Sequence, residues 1–199
     1  NHSDHLYPND FWCRYKGIAH DISEEPLNVY VTESGYNEIF SRVERIKDNP
    51  RVTIHKIIPF EPFDIEDYHI IPLEADHSPL TGPVIYIIEK GEKSLLYAHD
   101  TGIFPDSTWE YLEKYNKKFD LISLDCTEAA NDNCRKYHMG IKADKEVLDR
   151  LNKIGVCSSD TALYVNHFSH NGKVTHEELV REAEKYGFFA TYDGLEVEF

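Results

Sequence analysis

Asn1-His2-Ser3-Asp4-His5 sets two imidazoles and a carboxylate into four consecutive positions, a density of metal-binding groups that packing alone does not call for. Side chains two apart diverge on a helix, so the run reads as a loop in which His2, Asp4 and His5 turn toward one or two cations. Eleven histidines in 199 residues also exceed what one small core requires. The reading of the chain turns on which of them gather.

With 41% hydrophobic residues the chain is long enough to bury a real core and reads as a single domain over 1–199. Neither a run apolar enough to span a bilayer nor a leader with a cleavage site is found, so a soluble protein without membrane partners is expected. Cys13, Cys126, Cys134 and Cys157 form no close metal-binding pair, which suits a reducing, cytoplasmic setting. The net charge of −15, from 36 acidic and 21 basic residues, repels polyanions and argues against long nucleic acid. A small anionic substrate is compatible with it, because bound cations reverse the potential locally.

Apolar and β-branched runs predict strands over 29–32, 52–59, 69–73, 84–88, 94–98, 121–124, 162–165 and 195–199. The run 84–98 reads as a hairpin turning at Lys90-Gly91. Helices are predicted over 37–47, over 108–118 behind Ser107 with Glu110 in capping-box position, from an Asp144 cap to Gly155, and from a Thr175/Glu178 capping box to Gly187. Strands first, then strands alternating with helices, give sheet layers covered by helices, an α/β (α+β) fold.

His77, Asp100 and His167 each follow an apolar β run, where a strand ends and a loop begins. If those strands run in one orientation, the three residues meet His2, Asp4 and His5 at a common rim, and the mixed nitrogen and oxygen donors suit zinc, manganese or iron. His170 competes with His167 in the same loop, and the place directly after the strand favours His167. Asp125, at the end of 121–124, is a candidate for orienting a ligand histidine through its second ring nitrogen. His99 reads as a neighbour of the centre more than a ligand, Arg135 and Lys136 as candidate phosphate contacts, and His20, His55, His69 and His176 receive no role.

The ordered series Asn1-His2-Ser3-Asp4-His5, Ala75-Asp76-His77-Ser78, Tyr97-Ala98-His99-Asp100-Thr101-Gly102, Tyr137-His138-Met139-Gly140 and Asn166-His167-Phe168-Ser169-His170-Asn171-Gly172 resembles the cyclic-phosphate phosphodiesterase branch of the metallo-β-lactamase superfamily. Phosphoribosyl cyclic phosphate phosphodiesterase belongs to that branch, and RNase Z is a relative. The likeness covers essentially the whole chain, and the Tyr192-Asp193-Gly194-Leu195-Glu196 end fits it. It departs at Tyr137 and Gly140, where the branch has a Gly-His-Leu/Met-Ser form. It implies a metallo-β-lactamase-like four-layer αββα sandwich whose amino-terminal strands, and the first histidine of a His-x-His-x-Asp-His motif, are expected to precede Asn1.

Carried over by position, the resemblance implies that His2 and His77 bind one divalent cation, that Asp4, His5 and His167 bind a second, and that Asp100 bridges them. Two ions, zinc or manganese with iron admitted, would share a hydroxide and polarise a phosphoryl oxygen. His138 would protonate the leaving group and Asp4 would help orient the nucleophile. The expected activity is hydrolysis of a small or cyclic phosphodiester, and the resemblance admits a homodimer. The rival readings are a superfamily hydrolase of lactones, thioesters or β-lactams, and a non-catalytic metal-binding module.

Overall fold

The computed structural model describes residues 1–18, 25–131 and 133–199, so His20 lies outside the described residues. The chain divides into two compact units, one of residues 1–58 and 79–82, the other of 59–78 and 83–199.

In the first unit, strand β1 (Leu27–Val31) pairs in parallel with β2 (Val52–Lys56), and helix α1 (Glu33–Arg42) makes the crossover. Ile39, Val43 and Ile46 recur at helical spacing and bury against Val52 and Phe11. The single helix predicted over 37–47 is instead an α-helix that ends at Val43 (φ −122°), followed by a 3-10 segment, Glu44–Asp48. The apolar face survives that break because the 3-10 turn still points Ile46 into the same cluster. His2 to His5 form a turn in which the His5 and Leu6 amides donate to the His2 carbonyl at 3.0 and 2.7 Å. Asp4 and His5 are exposed, with 3.7 Å between His5 Nε2 and Asp4 Oδ2.

The second unit is a seven-stranded sheet laid down in chain order: β3 (Phe63–Ile65), β4 (Tyr68–Glu74), β5 (Val84–Lys90), β6 (Lys93–Ala98), β7 (Leu121–Asp125), β8 (Ala162–Asn166) and β9 (Phe189–Ala190). The first four are antiparallel and the last four parallel. The β5–β6 hairpin turns through Gly91, whose φ of +58° a two-residue turn demands and glycine accepts. Crossover helices α2 (Asp106–Leu112), α3 (Ile141–Ile154) and α4 (His176–Glu184) join the parallel strands. Val147, Leu148 and Leu151 of α3 are buried with Leu96, Ile122, Leu124 and Val165 of the sheet. Each such side chain contributes about 1.5–3 kcal/mol by leaving water.

Further elements differ from the sequence expectations. Helix α2 begins behind Pro105 and ends by Leu112, six residues short of Lys118. Helix α3 opens at Gly140 and not Asp144, because a Cβ at Gly140 would lie 2.7–2.8 Å from the Asn131 and Ala129 carbonyls, and the Ile141 amide donates to the latter. Asp144 is therefore buried inside the first turn. The short strands β3 and β9 escape a periodicity reading, and 195–199 is not strand. The Thr175/Glu178 capping box and the left-handed Gly155 stand as expected. Among the described residues no helix is long and apolar enough to cross a membrane.

Candidate metal centre

Strands β4 and β6 both run antiparallel to β5, and β7 and β8 run parallel to β6. Their carboxyl ends therefore share one edge of the sheet, where Asp125 closes β7 and the loops leaving that edge carry His77, Asp100 and His167. Two of these residues turn through the left-handed region, Asp100 at φ 56° and His167 at φ 63°, and Tyr137 in the neighbouring loop does so at φ 67°. Such backbone costs a non-glycine residue of order 1 kcal/mol and persists only where its surroundings over-determine it.

Asp100 occupies the middle. His77 Nε2 lies 3.3 Å from its Oδ2, while His167 Nε2 and His138 Nδ1 lie 3.9 and 3.6 Å from its Oδ1. The far nitrogens fix which ring atom faces it. His77 Nδ1 donates to the Tyr137 carbonyl at 2.7 Å, since a carbonyl only accepts, and Nε2 is the nitrogen left facing Asp100. His167 Nδ1 meets the Thr127 hydroxyl at 2.6 Å and Asp125 Oδ2 at 3.3 Å, again leaving Nε2. Donor atoms of Asp100, Asp125, His138 and His167 all lie within 4.8 Å of one another. Imidazole nitrogens with their second nitrogen already hydrogen-bonded, ranged about both oxygens of one carboxylate, are a donor set that divalent transition cations fit.

Asp125 plays the holding part. It is fully buried, and its oxygens accept from the amides of Thr127 and Met139 at 3.0 and 3.1 Å, from the Thr127 hydroxyl at 3.1 Å and from His138 Nδ1 at 3.2 Å. Burial alone would raise its pKa, but the bonds from His138, His167 and the two amides outweigh that and hold the carboxyl far below its usual range. Its hydrogen bond to His138 in turn raises the imidazole above its ordinary value, against the opposing effect of burial. With its oxygens engaged, Asp125 orients the two histidines and is not itself a free ligand.

Of the residues expected from sequence, His77, Asp100, His138 and His167 come together here. His2, Asp4 and His5 belong to the first unit and are described there. His99 pairs with the Ser123 hydroxyl at 2.7 Å, His170 is exposed at the start of a 3-10 turn, and Arg135 is engaged by Glu146. Sequence reasoning missed Thr127, the Tyr137 carbonyl and Gly102. The last carried a signal, since Thr101-Gly102 directly follows Asp100. A Cβ on Gly102 would sit 2.5 Å from the Arg135 carbonyl, 2.7 Å from Asp76 Oδ2 and 2.8 Å from Lys136 Cα. Gly102→Ala is therefore expected to push the 135–137 loop off His77, costing about 1–3 kcal/mol in urea unfolding and lowering the uptake of added zinc. Unchanged zinc and stability together would show that the loop yields without consequence.

The model of the beta-lactamase superfamily domain matches residues 1–168. Among solved structures, a diphosphatase from the PhnP family is 21% identical at a TM-score of 0.63, covering 96% of this chain and 64% of that one. Zinc-bound PqqB from Methylobacterium extorquens is 14% identical, with TM-score 0.66 over 87% of this chain and 65% of that one. An isothiocyanate hydrolase from Delia radicum gut bacteria is 15% identical, with TM-score 0.64 over 100% of this chain and 74% of that one. Identities this low show a shared fold, and the chain spans less than two thirds of the first two proteins. The curated proteins give no match.

Proposed function

The chain belongs to the beta-lactamase superfamily domain family, and from that premise we propose that it is a metal-dependent hydrolase of a small or cyclic phosphodiester, using two divalent cations. The observation that carries the reading is Asp100, whose two carboxylate oxygens face His77 Nε2 and His167 Nε2 respectively. His77 with Oδ2 would hold one cation, and His167 with Oδ1 the other. Bound there, the cations supply Lewis acidity toward a phosphoryl oxygen and acidify water near neutral pH.

The chain's own groups supply orientation and a proton. Thr127 and Asp125 fix the His167 ring, and the Tyr137 carbonyl fixes His77. His138, held at Nδ1 by Asp125, presents Nε2 as the group that protonates the departing ester oxygen. His138→Asn is expected to lower kcat about a hundredfold on a phosphodiester with an alkoxide leaving group, and much less on a 4-nitrophenyl ester, whose leaving group departs without a proton. Equal losses on both would remove His138 from the proton transfer.

The substrate class rests on a carboxylate at the middle of the donor set, which suits oxygen-tolerant cations, and on the similarity to a diphosphatase. A panel of bis(4-nitrophenyl) phosphate, a cyclic phosphodiester, a lactone and a thioester tests it with metal-loaded protein. Phosphodiester turnover supports the reading, and activity confined to the carbonyl substrates overturns it.

A further inference from the structure

We propose that Tyr137 is a specificity residue of this centre, its ring a platform on which a planar aromatic group of the substrate stacks. The inference rests on reading the centre as a phosphoester hydrolase. Tyr137 has a φ of 67°, a conformation that glycine adopts freely and a bulky side chain does not. Its backbone duty, the carbonyl that accepts from His77 Nδ1, needs no side chain. Glycine would perform that duty with less strain, so the backbone does not account for the tyrosine.

Core packing does not account for it either. Tyr137 is 53% exposed and stands outside the buried cluster of its unit. It meets the His77 ring at 81° with centroids 6.3 Å apart, without stacking, and His77 is the residue whose Nε2 faces Asp100. The backbone leading to it is anchored: the Ile103 amide donates to the Arg135 carbonyl at 2.9 Å, and Gly102 lets the chain at Lys136 pass close by. An open aromatic face one side chain from the donor set, on an anchored stretch of backbone, fits an aryl or nucleobase group on an ester whose phosphorus sits at the cations. The net charge of −15 confines that ester to a small molecule.

Calorimetric titration of metal-loaded protein with phenylphosphonate and methylphosphonate tests the platform apart from turnover. Wild type is expected to bind phenylphosphonate roughly tenfold more tightly than methylphosphonate. Tyr137→Phe should keep that ratio. Tyr137→Leu, compared with wild type at equal zinc loading, should bring it close to one, the readout being the ratio within each protein. Tyr137→Gly should do the same and, by relaxing the left-handed backbone, guards against a misfolded variant. A ratio that persists without the ring, no preference in wild type, or no binding of either phosphonate overturns the inference. Phenylphosphonate preference in a protein that cleaves only lactones or thioesters would sink the phosphodiesterase reading and leave the platform standing.

Discussion

If two cations share Asp100 as proposed, Asp100→Asn is expected to leave the protein folded while phosphodiester turnover falls at least a thousandfold and zinc bound by the loaded protein drops from two equivalents to one or none. Asparagine tolerates the left-handed backbone at φ 56° and keeps the side-chain shape. What it loses is the negative charge and the second anionic oxygen. Without them the His77 and His167 nitrogens no longer face one carboxylate between them, and two cations nearby would repel with nothing to offset it. Altering a group that merely supports a ligand costs about 10–100-fold in metal affinity, and removing a bridge should exceed that. Asp100→Ala should behave alike with some added instability, since alanine is strained at positive φ. Metal analysis by mass spectrometry beside hydrolysis rates is the measurement. Two zinc equivalents and full turnover in the asparagine variant would reject the bridge.

Strand-end placement made much of this centre legible. Runs such as Leu95-Leu96-Tyr97-Ala98 announce a strand by composition, and a titratable residue just past its end falls on the rim wherever the strand directions agree. Directions are a property of pairing across the sheet, and the β4–β5–β6 antiparallel order that aligns His77 with Asp100 has no local signature. Asp125 was readable as an orienting carboxylate because it closes its strand. Thr127 and the Tyr137 carbonyl were not, because a hydroxyl two residues on and a backbone oxygen carry no chemistry in the sequence that separates them from ordinary loop groups. Asp144 was misplaced for a related reason. Asp before an apolar stripe looks like a helix cap, whereas the actual start at Gly140 is set by the close approach of the 129–131 backbone.

That burial of Asp144 leads to the largest expected effect on stability: Asp144→Asn should raise Tm by several degrees at pH 7, with the gain shrinking toward nothing near pH 4. The carboxyl is fully buried, and among the described residues neither oxygen meets a partner in good hydrogen-bond geometry, the Cys126 thiol being a weak donor set against it. Burial first, and then the Asp125 charge, push its pKa well above the ordinary 3.8, although the facing Cys126 thiol acts in the opposite direction. A place in the first turn of α3 favours a negative charge through the helix dipole by about 2 kcal/mol at most, too little to offset loss of solvation. The folded protein thus keeps the proton at pH values where the unfolded chain has released it. A folded pKa above the unfolded one gives stability that is whole below the unfolded value and is lost as pH rises toward and through the folded value, at about 1.4 kcal/mol per pH unit. Asparagine has no proton to lose, so the variant escapes that decline while burying a polar group of the same shape. Each kcal/mol corresponds to about 2–4 °C in a chain of this size. Thermal melts of both proteins from pH 4 to pH 7 measure the difference, and a gap that stays constant across that range would mean Asp144 is ionised inside the fold, its charge held by contacts that offset its burial.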